Sequence, residues 1–153
     1  MSFYKKPIFI EALLSLLVLA VLHNIATYEF LYWRVDEFDS LMHFLGGVAL
    51  SFFFVWLYFF SGLFAPKNRG LGNYIFVSML GVATLAVLWE IFELLMGISV
   101  IDWSRYMSDT TLDYIMDALG GLAACLYAYL KAESAMPVQV PVKKGFVPEN
   151  LPV

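Results

Sequence analysis

Four stretches of the chain are apolar almost without a break. They cover about residues 7–33, 40–64, 74–97 and 111–131. Each is long enough for the roughly 20 residues that a helix needs to cross a bilayer. None alternates apolar and polar residues with period two, which excludes the strands of a membrane barrel and predicts helices. The predicted fold is therefore an all-α integral membrane protein, a four-transmembrane-helix bundle over residues 1–132. The connections are short: 34–39, then the Pro/Gly turn 65–73 (APKNRGLGN), then 98–110. The tail, 133–153, carries Pro137, Pro141, Pro148 and Pro152 and reads as an extended, poorly ordered segment.

Composition narrows the class further. Of 153 residues, 61% are hydrophobic and 14% charged, and the mean hydropathy is +0.77. A soluble domain has about 45–50% apolar and about 25% charged residues, so a water-soluble globule is excluded. The 18% of aromatic residues excludes disorder of the whole chain. One cysteine, Cys125, leaves no internal disulfide and no cysteine-based zinc cluster. A net charge of −4 gives no reason to expect nucleic acid as a partner; the expected partner is membrane lipid.

Basic residues set an expected orientation. Lys5, Lys6, Lys67, Arg69, Lys131, Lys143 and Lys144 fall on one side, and only Arg34 and Arg105 on the other. This positive-inside bias places both termini and the 65–73 turn in the cytoplasm, in a plasma or inner membrane. Tyr32, Trp33, Trp103 and Tyr106 would form an outer aromatic belt. The first segment follows Lys5 and Lys6 as a signal peptide would. However, it is long, has Glu11 near its start and lacks a small-x-small cleavage site, so we expect it to remain as a spanning helix.

The chain repeats itself. Residues 39–49 read DSLMHFLGGVA and residues 113–123 read DYIMDALGGLA, with His43 replaced by Asp117. More weakly, LAVLHNI (19–25) matches LAVLWEI (85–91). Two repeated helical hairpins, related by an axis along the membrane normal, explain both matches.

Ionisable residues inside spanning helices are costly, at roughly 2.5–3.5 kcal/mol each near the centre. This chain places Asp39, His43, Glu90, Glu93, Asp113 and Asp117 in or beside three of its segments, all at the expected outer end. Asp39/His43 and Asp113/Asp117 are i,i+4 pairs and Glu90/Glu93 is an i,i+3 pair, so each pair shares a helix face. Five carboxylates so arranged need neutralising, by protons, basic side chains or a metal ion; with Arg34 and Arg105 the only basic residues expected on that side, a bound cation balances the charge most simply. Carboxylates with one imidazole suit a divalent metal ion such as Zn, Mn, Fe or Mg, and bundle cores are known to hold such ions between facing helices. Gly46/Gly47 and Gly120/Gly121 share faces with His43 and Asp117 and would admit a close helix neighbour.

Blander readings exist for several residues. Asp39 fits an N-cap, Asp109 a cap or loop acid, and Thr110-x-x-Asp113 a capping box. Glu90 could snorkel to the interface, Glu11 is interfacial, and His23 could line the site or bond a neighbouring carbonyl. His43, Glu93 and Asp117 have no comparable structural role. The chain contains no GxSxG, HExxH or glycine-rich phosphate loop.

Together, Asp39-x3-His43-x2-Gly46, Glu90-x2-Glu93 and Asp113-x3-Asp117-x2-Gly120 resemble the VanZ-like and YjdF-type small integral membrane proteins, over roughly Asp39 to Gly121. The resemblance implies a small multi-helix membrane bundle of largely unassigned activity, with the VanZ type associated with glycopeptide resistance at the cell envelope. The chain departs from that pattern in having Ser40 where a Lys often follows the Asp, and no Trp before Asp113.

Three functions stay open at this point. The first is a metal-dependent hydrolase or transferase acting on an envelope lipid or a lipid-linked head group. In it Asp39, His43, Asp113 and Asp117 hold the ion, Glu90 completes the shell, and Glu93 acts as the catalytic base. The second is a cation or proton transporter, although the inner half of the helices offers almost no polar path. The third is a structural or accessory membrane subunit with a bound metal.

Overall fold

The computed structural model describes residues 8–35, 37–97 and 103–134, with residues 103–105 as backbone alone. Lys5, Lys6, Lys143, Lys144, the Pro-rich tail beyond 134, and the side chains of Trp103 and Arg105 lie outside the described residues. The elements are α1 (Phe9–Tyr28), a short α2 (Leu31–Arg34), α3 (Phe38–Val55) continued by a π-helical turn (Trp56–Phe60), α4 (Leu71–Met96) and α5 (Trp103–Ser134). Four of the helices are long and apolar enough to span a membrane, and no strand occurs among the described residues.

The helix ends differ from the expected ones for local reasons. The first segment is not one helix to residue 33. Phe30 (φ 57°) and Glu37 (φ 62°) adopt the left-handed conformation, which L-residues enter at some cost. They turn the chain from α1 through α2 into α3. α2 is held back against α1 by a 2.8 Å hydrogen bond between the Tyr32 hydroxyl and His23 Nδ1.

Asp39 is not an N-cap. Glu37 occupies that position without a side-chain cap bond, and Asp39 lies inside the first turn. α5 begins at Trp103, about two turns earlier than expected. Thr110 and Asp113 are therefore mid-helix, and no capping box forms. Thr111 returns its hydroxyl to Met107 O at 2.6 Å, as a helix-interior threonine does.

α3 sits in the middle and packs against α1, α4 and α5. Its crossing with α5 brings the two backbones into close approach. A Cβ on Gly47 would lie 2.1 Å from the carbonyl oxygen of Asp117, and one on Gly120 would lie 2.0 Å from that of Phe44. Only glycine permits this approach, because small residues let membrane helices bring their backbones together.

Beyond the crossing, Ser51 and Ser78 hydrogen-bond each other at 2.7 Å with no exposed surface. Further along lies the apolar core of Val55, Phe59, Tyr74, Cys125 and Ala128, with Phe59 and Tyr74 stacked at 4.0 Å. Arg69 closes the π-helical turn by donating to the Phe59 carbonyl at 3.0 Å. At this end Lys131 pairs with Glu11, so that acid is tied to α5. Leu13, Leu17, Leu80, Leu119 and Leu130 point outward and exposed, as expected where lipid is the solvent.

Gly47→Ala and Gly120→Ala should each destabilise the protein, by about 1–3 kcal/mol, because the added methyl overlaps a backbone carbonyl. Gly72→Ala should be neutral, since nothing lies within 4 Å of its added Cβ. Thermal unfolding of the three variants in detergent checks both expectations.

Candidate metal centre

One helical turn separates Asp39 from His43 on α3, and another separates Asp113 from Asp117 on α5. The glycine crossing sets these two faces against each other. One ligand atom each from Asp39, His43 and Asp113 lie within 4.8 Å of one another. His43 and Asp113 are buried and Asp39 is half-buried. These three of the six expected site residues form the tight group.

Asp117 takes part differently. Its Oδ2 lies 3.1 Å from His43 Nδ1 and is hydrogen-bonded to it. The other ring nitrogen, Nε2, lies 3.9 Å from Asp113 Oδ1, beyond hydrogen-bond reach. Nδ1 is thus taken up by Asp117, and Nε2 is the ring nitrogen left facing Asp113. A carboxylate behind a histidine that presents its other nitrogen to a cation is the usual outer partner of a metal ligand.

Glu90 projects from α4 into the gap between helices and is 4% exposed. Its Oε2 accepts a hydrogen bond from Thr110 Oγ1 at 2.9 Å, and Tyr106 OH lies 3.5 Å away. Its Oε1 is buried and, among the described residues, has no hydrogen-bond partner. Glu90 lies within electrostatic reach of Asp113. It is buried, so snorkelling does not describe it. Tyr106 is buried as well and is not part of a lipid-facing belt, whereas Trp33 is exposed.

Glu93 stands outside the tight group. It is half-buried beside Asp39, Glu90 and Trp89. This side of the cluster also meets α1 and α2. Tyr32 feels the charges of Asp39 and Glu93, and its bonded partner His23 meets Trp89 edge-on with ring centroids 6.4 Å apart. Burial, followed by those two negative charges, pushes the Tyr32 phenol up to about 12. Tyr32 therefore stays a hydrogen-bond donor at any physiological pH.

Sequence reasoning missed Tyr106, Thr110 and Tyr32 as parts of the site. Thr110 carried a signal, but a local capping pattern claimed it. Tyr32 and Tyr106 carried only the signal of aromatic residues at a membrane boundary.

A family model described as "Predicted membrane protein (DUF2238)" matches residues 3–134. The chain belongs to this family of small membrane proteins, to which no function is assigned. No curated protein and no solved structure matches it.

Two outcomes follow from the geometry. Thr110→Val should destabilise the protein by about 1–3 kcal/mol, because it leaves the buried Glu90 carboxyl without its closest donor; Thr110→Ser should restore most of the loss in thermal melts. In an ultraviolet phenolate titration, the one-tyrosine step near pH 12 that Tyr32 contributes should be missing from Tyr32→Phe. In Asp39→Asn that step should move down, because one of the charges that raise it is gone.

Proposed function

Taking membership of that family as the premise, we propose that the acid–imidazole cluster binds one divalent cation. We further propose that the protein is a metal-dependent hydrolase or transferase acting on a lipid or lipid-linked head group at the extracytoplasmic face. The observation that carries this reading is the arrangement around His43: Nδ1 is engaged by Asp117, Nε2 lies 3.9 Å from Asp113 Oδ1, and one ligand atom each from Asp39, His43 and Asp113 lie within 4.8 Å of one another. Ligand distances of about 2.0–2.2 Å to an ion such as Zn²⁺ need only a modest contraction of these three side chains.

Three protein donors leave a coordination position open, which distinguishes a catalytic site from a closed structural one. Asp39, His43 and Asp113 are the ligands, and Asp117 orients the imidazole. Glu90, whose Oε1 has no hydrogen-bond partner among the described residues, remains available to accept a hydrogen bond from a group in that open position. A cation held by these residues would supply positive charge to a reacting phosphoryl or acyl oxygen. Glu93, half-buried and outside the ligand group, accepts the proton of the attacking nucleophile. Zn, Mn, Fe and Mg all suit oxygen donors with one nitrogen.

The depth of the cluster fits a head-group substrate. The positive-inside bias supports a plasma- or inner-membrane location with both termini cytoplasmic. The meeting of the two Gly-Gly motifs at one crossing supports two repeated hairpins. The VanZ-like and YjdF-type resemblance is compatible with an envelope role. Transport fits less well: Ser51 and Ser78 bond each other, and the stacked Phe59 and Tyr74 follow along the same core.

Elemental analysis of the purified protein tests the reading. The wild type should hold close to one equivalent of a divalent metal and His43→Ala none. Asp117→Ala should bind roughly 10–100-fold more weakly, as loss of an outer carboxylate does. Equal, negligible metal in all three would overturn the proposal in favour of a charged imidazolium as the sole positive partner. Bound Mn²⁺ without exchangeable water, seen by magnetic resonance, would favour the accessory-subunit reading.

A further inference from the structure

Between α4 and α5 a groove of about 310 Å³ opens on the side of the bundle. Met79, Ala83 and Ala86 line it from α4, and Tyr114 and Ala118 from α5; Asp117 lies at the same wall. Three small side chains on facing helices create the space. Met79 also packs on Gly121, where its Cε would lie 2.7 Å from an added Cβ. The α4 residues that line the groove recur along one helix face, so it runs parallel to the helix axes and hence along the bilayer normal.

Such a groove stays dry. Water needs two to four polar partners in a cavity, and this lining offers a carboxylate already bonded to His43 together with the tyrosine. Its surroundings are the outward faces of two spanning helices, where Leu80, Val87 and Leu119 are exposed. The medium at those faces is hydrocarbon.

The geometry points to one occupant: a single acyl chain of a bilayer lipid, lying along α4 and α5 with its polar end at Asp117 and the acid–imidazole cluster. A chain seated there buries its methylenes against Met79, Ala83, Ala86 and Ala118. Its first polar atoms then reach the layer of Asp113, Asp117 and His43. The inference rests on the reading of that cluster as a head-group site and adds to it the lipid's tail seat and lateral route of entry. Asp117 becomes the junction: it orients His43 on one side and bounds the tail groove on the other.

The test uses the full chain in nanodiscs that contain an anionic phospholipid with a photoactivatable diazirine midway along one acyl chain. Peptide mapping after irradiation should concentrate adducts on residues 79–87 and 114–118, with saturable competition by the unlabelled lipid. In Ala83→Trp, which fills the groove from its lipid-facing side, those adducts should fall to the level seen on the α1 face around Leu13 and Leu17. In His43→Ala, which abolishes the metal site, the adducts should persist. The tail seat therefore fails or stands independently of the metal reading. If Ala83→Trp does not fold, the competition in wild-type protein decides. Adducts spread evenly over all outward faces, or unsaturable labelling, would overturn the proposal. Cross-links from the groove to a second protein copy would overturn it as well, in favour of a dimer interface.

Discussion

The backbone approach of α3 to α5 governs the rest of the molecule. Gly47 lies over the carbonyl of Asp117, and Gly120 over that of Phe44. Because the backbones nearly touch there, the side chains one and two turns away are brought together whether or not they attract each other. His43 meets Asp117, and Asp39 meets Asp113. Buried between helices, with little water to solvate separate charges, the groups tolerate this enforced proximity only if the acids share protons, an imidazole or a cation. The acidic cluster is thus a consequence of the glycine crossing, and a wider helix separation would dissolve it.

The reading of the sequence reached this cluster because two independent periodicities converge on it. The i,i+4 spacing put Asp39 with His43 and Asp113 with Asp117 on common faces, and alternating helix direction put those faces at one end. What it could not reach was the division of labour. Asp117 occupies the repeat position of His43 and reads as its equivalent; only side-chain geometry shows its carboxylate bonded to His43 Nδ1. Glu90 was legible as an acid in the wrong solvent, but its donors come from turns of α5 that the polar run 103–110 disguised as a loop.

The helix boundaries were less legible for a related reason. Breaks normally carry glycine or proline, whereas here Phe30 and Glu37 take the left-handed conformation without either. Tertiary demand, the need to fold α2 back onto α1 through Tyr32 and His23, overrides local preference. Thr110 shows the same effect at another scale: a four-residue pattern that caps a helix start looks identical to one in a helix interior. That the chain forms four helices of spanning length was legible because length and apolarity are properties of whole segments and do not depend on single residues.

One last feature is the length of α5. Its 32 residues extend about 48 Å at 1.5 Å per residue, against a hydrocarbon thickness of about 30 Å. The sequence of its opening turns, WSRYMSDTTLD, is far more polar than the rest. The mismatch is relieved most simply by those turns standing clear of the hydrocarbon, in the interfacial zone. Asp113 then sits at the water boundary and Asp117 one turn beneath it. Protons and ions can arrive from bulk solution along an already wet helix, without any excursion through oil.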